Sequence, residues 1–150
     1  MSRGKQQGFT LIELMVVLVI IGIASAAVSL SIKPDPLKLL REDADRLAQL
    51  LQLAQAEARS DGRPITWRGD AKGFAFARRT DRGAGLDRFK DDPQLRPRRW
   101  QSPSMEIRVE PRQRVVLNAE WLGEPLQIRL SDGQNSLTVQ RSAAGRVLVQ

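Results

Sequence analysis

Three patterns of apolar and polar residues follow one another along the chain. From Phe9 to Ile32 the residues are predominantly apolar, with a single charge at Glu13. At about 1.5 Å per residue, a helix over this run spans roughly the 30 Å of hydrocarbon in a bilayer. From Leu37 the apolar positions Leu37, Leu40, Ala44, Leu47, Leu51, Ala54 and Ala58 recur at steps of three and four. That spacing predicts an amphipathic helix. Arg41, Glu42, Asp45, Gln49, Gln52, Glu57 and Arg59 form its polar side. After Gly62 the period falls to two, and strands are expected at residues 64–69, 73–78, 105–110, 113–118, 125–130, 136–141 and 145–149.

Local signals divide these segments. Pro34 and Pro36 interrupt helical continuity just past the apolar run, and Asp35 suits a cap with Pro36 at the first helical position. Ser60-Asp61-Gly62 ends the second helix. With alanine at several stripe positions and only about three heptads, that helix is expected to pack on a sheet rather than in a coiled coil. Asp132-Gly133 and Ala144-Gly145 suit tight reversals, making the last three strands an antiparallel meander. Residues 79–104, rich in Gly, Pro and charge, are expected to be mainly loop, with a short strand or turn near residues 86–89. Trp67 and Trp121 are expected to fill the core. The fold class is α+β: a long amino-terminal helix, one half transmembrane and one half amphipathic, packed on antiparallel sheet.

Composition narrows the chemistry. Of 150 residues, the roughly 118 beyond the stem suffice for one modest globular domain. Cysteine and histidine are both absent, which removes disulfides, Ser-His and Cys-His nucleophilic pairs and the usual zinc and iron sites. An enzyme is therefore not expected, nor is any cofactor or metal. The net charge of +7 suits a solvated basic surface, nucleic acid, anionic lipid or acidic protein partners, and composition does not choose among them.

Glu13 does change the picture. A carboxylate within an apolar membrane run costs on the order of 2 to 3 kcal/mol at depth, so it is a candidate functional residue. The competing reading is an interfacial acid in the first turn of a helix, where the dipole favours negative charge. A secretory signal peptide has a shorter apolar stretch followed by its cleavage site, whereas here Gly8 stands before a longer run. Gly22, Ala24, Ser25, Ala26 and Ala27 form a small-residue patch that permits close helix approach. Charge counting leaves orientation open, because Lys33, Lys38 and Arg41 follow the run while Arg3 and Lys5 precede it.

The string Gly8-Phe9-Thr10-Leu11-Ile12-Glu13 resembles the processing site of the type IV pilin superfamily, which includes type II secretion pseudopilins. The passage from Asp45 to Thr66 is similar to the GspH/FimT group of minor subunits, pointing to an H-type minor pseudopilin. The resemblance implies a pilin-like fold and a leader over residues 1–8, cleaved between Gly8 and Phe9 on the cytoplasmic face. The new Phe9 amine is then N-methylated. It further implies a transmembrane assembly stem over residues 9–32, a periplasmic amphipathic helix over 33–62 and a β-rich periplasmic region over 63–150.

Within that resemblance, Glu13 pairs with the terminal amine of a neighbouring subunit. A buried unpaired carboxylate is costly, and a cation relieves it only in the correct register. The implied function is a structural subunit near the tip of the pseudopilus that supports protein secretion across the outer membrane. Its implied partners are the major and tip pseudopilins, the prepilin peptidase/N-methyltransferase and the inner-membrane assembly platform. The rival is a minor type IV pilin of the FimT/FimU kind, acting in pilus assembly or DNA uptake.

Two further clusters bear on partners. Asp81, Asp87, Asp91 and Asp92 are hard oxygen donors of the kind calcium takes, but they lack EF-hand spacing and alternate with Arg82, Arg88 and Lys90, which favours a solvated loop. Arg96, Arg98, Arg99 and Trp100 form a candidate nucleic-acid or partner contact, since arginines beside an aromatic can grip phosphate and stack a base. A buried or edge Trp flanked by solvated arginines is the favoured alternative, and nucleic acid is not the expected partner. The scattered Gly69, Gly73, Gly83 and Gly85 form no phosphate loop leading into a helix.

Overall fold

The computed structural model describes residues 8–31, 33–81, 83–119 and 125–150. The expected leader up to Gln7, Ile32 and Trp121 lie outside the described residues. The chain divides into two compact units, one ending at Pro34 and one running from Asp35 to Gln150.

The first unit holds α1 (Leu11–Ser31), whose apolar side chains are exposed all round, from Leu11 at 79% to Val28 at 62%. A helix that is hydrophobic on every side has no core of its own to face.

The second unit begins with α2 (Pro36–Asp61), and its two ends follow the sequence signals. Asp35 is the N-cap, its Oδ1 accepting from Leu37 N at 3.0 Å, and Pro36 occupies the first turn, where a missing N–H is harmless. Gly62 closes the helix at φ 65°, a left-handed conformation that glycine adopts without a Cβ clash. The stripe Leu40, Ala44, Leu47, Leu51, Ala54 and Ala58 is buried, and the small alanines let the helix lie close to the sheets. Leu37, counted into that stripe, is instead 42% exposed, because it sits in the first turn ahead of the sheet contacts.

Among the described residues nine strands follow: β1 (Ile65–Gly69), β2 (Gly73–Arg79), β3 (Leu86–Asp87), β4 (Arg98–Arg99), β5 (Glu106–Glu110), β6 (Val115–Leu117), β7 (Leu126–Ser131), β8 (Ser136–Arg141) and β9 (Val147–Val149). They form two antiparallel sheets, ordered β3-β2-β1-β6 with β4 also on β2, and β5-β7-β8-β9. All seven strands expected from alternation are present within about two residues at each end. The meander β7-β8-β9 is also present with the expected tight reversals: Asp132 N donates to Asn135 O at 3.2 Å across Gly133 and Gln134, and Ser142 N donates to Arg146 O at 2.9 Å while Gly145 N donates to Ser142 O at 3.0 Å. Within residues 79–104, β3 falls in the expected place. β4 was not anticipated, because two residues carry no readable alternation.

One core unites the second unit. Alternate residues of both sheets, including Ile65, Trp67, Phe74, Phe76, Leu117, Ile128, Leu130 and Val139, bury against the α2 stripe. The polar Asp43 lies among them at 1% exposure. Its carboxylate accepts from Gln101 N with both oxygens and from Ser102 N, each at 3.0 Å. A buried charge needs such partners, and here they fasten the end of the long 79–104 segment to α2.

Candidate functional site

The stem site is built by a helix start. Gly8, Phe9 and Thr10 precede α1, and Leu14 N donates to Thr10 O at 3.2 Å, which makes Thr10 the N-cap. Thr10 Oγ1 accepts from Glu13 N at 3.3 Å. Thr10-Leu11-Ile12-Glu13 therefore has the spacing of a capping box, with Glu13 at the third helical position. Only half of the box is made. Among the described residues no hydrogen bond or ion pair engages the Glu13 carboxylate, so it is not turned back on the Thr10 N–H. Sequence reasoning missed Thr10, although the Thr-x-x-Glu spacing was there to be read.

The neighbours of this acid are accessible. Phe9 is 83% exposed, and a Cβ added at Gly8 would meet nothing within 4 Å. Residues Leu11–Val28 are long and apolar enough to cross a membrane. The site thus consists of an open Gly8-Phe9 bond, a capped helix start and an unspent carboxylate one turn in.

The arginine cluster does not form a stacking platform, and the favoured alternative of a buried Trp beside arginines is what the fold presents. Trp100 is 8% exposed, its indole N–H donates to Asp70 O at 2.7 Å, and its ring lies 4.7 Å from that of Phe74. It belongs to the core because it is large and apolar and finds a carbonyl for its one donor. Arg98 is half-buried and donates to Pro93 O at 3.2 Å and Gln94 O at 3.1 Å, closing the turn before β4. Arg96 and Arg99 are exposed. No base can stack beside them on Trp100.

The loop acids have separate tasks. Asp81 pairs with Arg63 at 3.2 Å. Asp87 lies 3.6 Å from Arg78 and accepts from Phe89 N, while Asp92 accepts from Gln94 N and Leu95 N. Arg78 also reaches Asp61 at 2.6 Å and stands 5.0 Å over the Phe89 ring, so it ties the end of α2 to β2 and the following loop.

These features define a class: a pilin-like chain with an exposed apolar helix, a prokaryotic prepilin-type start and an α+β domain. The model of the prokaryotic N-terminal methylation motif matches residues 3–29. That of the type II transport protein GspH matches residues 43–145, and the chain belongs to this family. No curated protein and no solved structure matches it. The family and the motif together give the chain a type II secretion minor pseudopilin or type IV pilin-like role, and the apolar helix with its prepilin motif fits an inner-membrane anchor.

Proposed function

We propose that the chain is a structural minor pseudopilin of a type II secretion system. The observation that carries this reading is the unengaged Glu13 carboxylate in the first turn of an apolar helix, directly after the Gly8-Phe9 bond. In the proposed sequence of events, the prepilin peptidase cuts between Gly8 and Phe9 and methylates the Phe9 amine. Residues 9–32 hold the subunit in the inner membrane with the amino terminus cytoplasmic, and the amphipathic helix of 33–62 and the β-rich region of 63–150 stand in the periplasm.

During assembly, the Phe9 amine of one subunit meets Glu13 of the next. This pairing neutralises a charge that apolar surroundings would otherwise penalise, and it does so only at one axial register. The subunit joins the tip subunits to the major pseudopilin below, and the assembly platform in the inner membrane drives it outward. Its work is mechanical. The processing motif also serves minor type IV pilins of the FimT/FimU kind, but the GspH match over residues 43–145 favours secretion.

Glu13→Ala and Glu13→Val test this directly. Both are expected to leave cleavage after Gly8 intact, read as the mass of the mature chain, and to abolish recovery of the subunit in sheared filaments. Normal incorporation of both variants would overturn the registry role.

A further inference from the structure

Among the described residues β5 is an edge strand, paired on its β7 side alone. In an antiparallel ladder the N–H and C=O of a residue point to the same edge, and successive residues alternate. Thr138 N donates to Gln150 O at 2.7 Å and Gln150 N to Thr138 O at 2.9 Å, so the even residues of β8 address β9 and its odd residues address β7. Those odd residues meet Leu126, Ile128 and Leu130, which leaves Gln127, Arg129 and Ser131 of β7 to address β5. Their partners there are Glu110, Arg108 and Glu106. Ile107 and Val109, both half-buried, therefore turn their N–H and C=O away from the sheet. A hollow of about 630 Å³ touches the consecutive residues Glu106, Ile107, Arg108 and Val109. Neighbours in a strand point to opposite faces, so a space that touches four in a row lies beside the backbone.

The side chains along this edge are complementary to themselves in reverse. Pro103 and Pro111 bracket the stretch from Ser104 to Glu110 symmetrically about Ile107. Proline has no N–H to give a ladder, so pairing ends at both. In two antiparallel copies with Ile107 opposite Ile107, Glu106 faces Arg108, Arg108 faces Glu106 and Met105 faces Val109. Acid then meets base on the outer face, and apolar meets apolar on the inner. Moving the centre to Arg108 sets arginine against arginine and Glu106 against Glu110, and like charges directly opposite destabilise a ladder. Within its own sheet Arg108 already stands opposite Arg129, while its one acid, Glu106, is an exposed partner at 3.6 Å. A second acid on the open side relieves that repulsion. Guarded edges carry charges that point inward, whereas Glu106, Arg108 and Glu110 all point outward.

We propose that two copies of this chain pair β5 to β5 about a twofold axis through Ile107, joining their four-stranded sheets into one continuous sheet. A twofold contact presents the same patch from both sides, so the patch must match itself. The reversed charge order about Ile107 meets that condition, and it selects a second copy over a partner of one charge sign. Backbone bonds to Ile107 and Val109 supply the attachment, and the facing charges set the register. One strand pair buries little area, so the association is weak and depends on concentration. The proposal stands on β5 alone and is independent of cleavage and of Glu13.

The test follows self-association of the full chain in detergent micelles by sedimentation, up to about 500 μM. Glu106→Arg and Arg108→Glu are each expected to weaken the dimer about tenfold, and the two together to restore it within about twofold, while Lys90→Glu has no effect. The amides of Ile107 and Val109 should exchange with solvent more slowly as concentration rises, whereas those of Glu106 and Arg108, already directed at β7, keep their rates. The chain has no cysteine of its own, so a Glu106→Cys chain mixed with an Arg108→Cys chain reports the register. On mild oxidation the mixed disulfide is expected to form at least about fivefold faster than either chain's disulfide with itself. Equal association of the unaltered chain and both single swaps would overturn the proposal, because the stem would then be joining the copies. So would a chain that stays monomeric throughout. Arg108→Cys joining to itself faster than to Glu106→Cys would also overturn it, since Arg108 would then face Arg108.

Discussion

Glu13 in the stem and Asp43 in the domain are both carboxylates set on helices among apolar residues, yet their surroundings are opposite. Asp43 is 1% exposed and receives backbone N–H groups from Gln101 and Ser102 of its own chain. Glu13 lies on a helix whose apolar side chains are exposed on every side, and no described residue engages its carboxylate. The domain therefore satisfies its buried charge internally, whereas the stem leaves both its apolar surface and its acid for something outside the chain. That difference separates a folding device, Asp43, from the assembly device proposed for Glu13.

The largest effect expected from probing this contrast lies at Asp43. Asp43→Ala leaves the N–H groups of Gln101 and Ser102 buried without an acceptor, a loss of about 4 kcal/mol. It should lower the urea midpoint of unfolding sharply and expose residues 88–104 to proteolysis. An unchanged midpoint would show that Asp43 is not what fastens this segment to α2. The contrast would then fail on the domain side.

A smaller effect is expected at the start of the stem. Thr10→Ala removes the hydroxyl that accepts from Glu13 N, about 1 kcal/mol of helix start. In micelles the Glu13 amide should then exchange with solvent about fivefold faster, while the domain's amides keep their rates. If Thr10→Ala also blocked filament incorporation as completely as Glu13→Val, the carboxylate could not be assigned the registry role separately from its helix turn.

What the sequence revealed, and what it concealed, follows the same division. The prepilin-type motif of the stem was legible because its signals are local: Gly8, Phe9 and Glu13 lie within one short string, and a lone acid in an apolar run stands out. The second helix and seven strands were legible because each is a sustained period of 3.6 or 2, and the first helix because it is a long apolar run with a single charge. Asp43 was not, because its partners lie 58 and 59 residues away and nothing in the stripe pattern marks a charge as buried. Trp100 was placed beside its neighbours in sequence, whereas its structural partners are Phe74 and the Asp70 carbonyl. The open edge of β5 was illegible for the same reason, since only the pairing of β7 with both β5 and β8 turns Ile107 and Val109 outward.

The smallest expected effect comes from the domain's turn acids, which sharpen the contrast because their partners are also internal. Asp70 has its carboxyl held below the ordinary range, chiefly by the backbone N–H of Lys72 and then that of Gly73. Asp132 is likewise lowered, chiefly by the backbone N–H of Asn135, in the turn between β7 and β8. A carboxylate whose pKa is depressed by folding contributes stability that is fully present above its unfolded value of about 3.9 and is lost as pH falls through the folded value. Stability carried by these two groups should therefore be flat between about pH 7 and pH 5 and should decline below about pH 4. Asp70→Asn and Asp132→Asn should each flatten part of that acid limb in urea unfolding series. The decline should largely persist in 0.5 M salt, because short backbone hydrogen bonds, rather than long-range charge, hold these carboxyls down. Loss of the acid limb in salt would instead place its origin in the exposed ion pairs, such as that of Arg63 with Asp81.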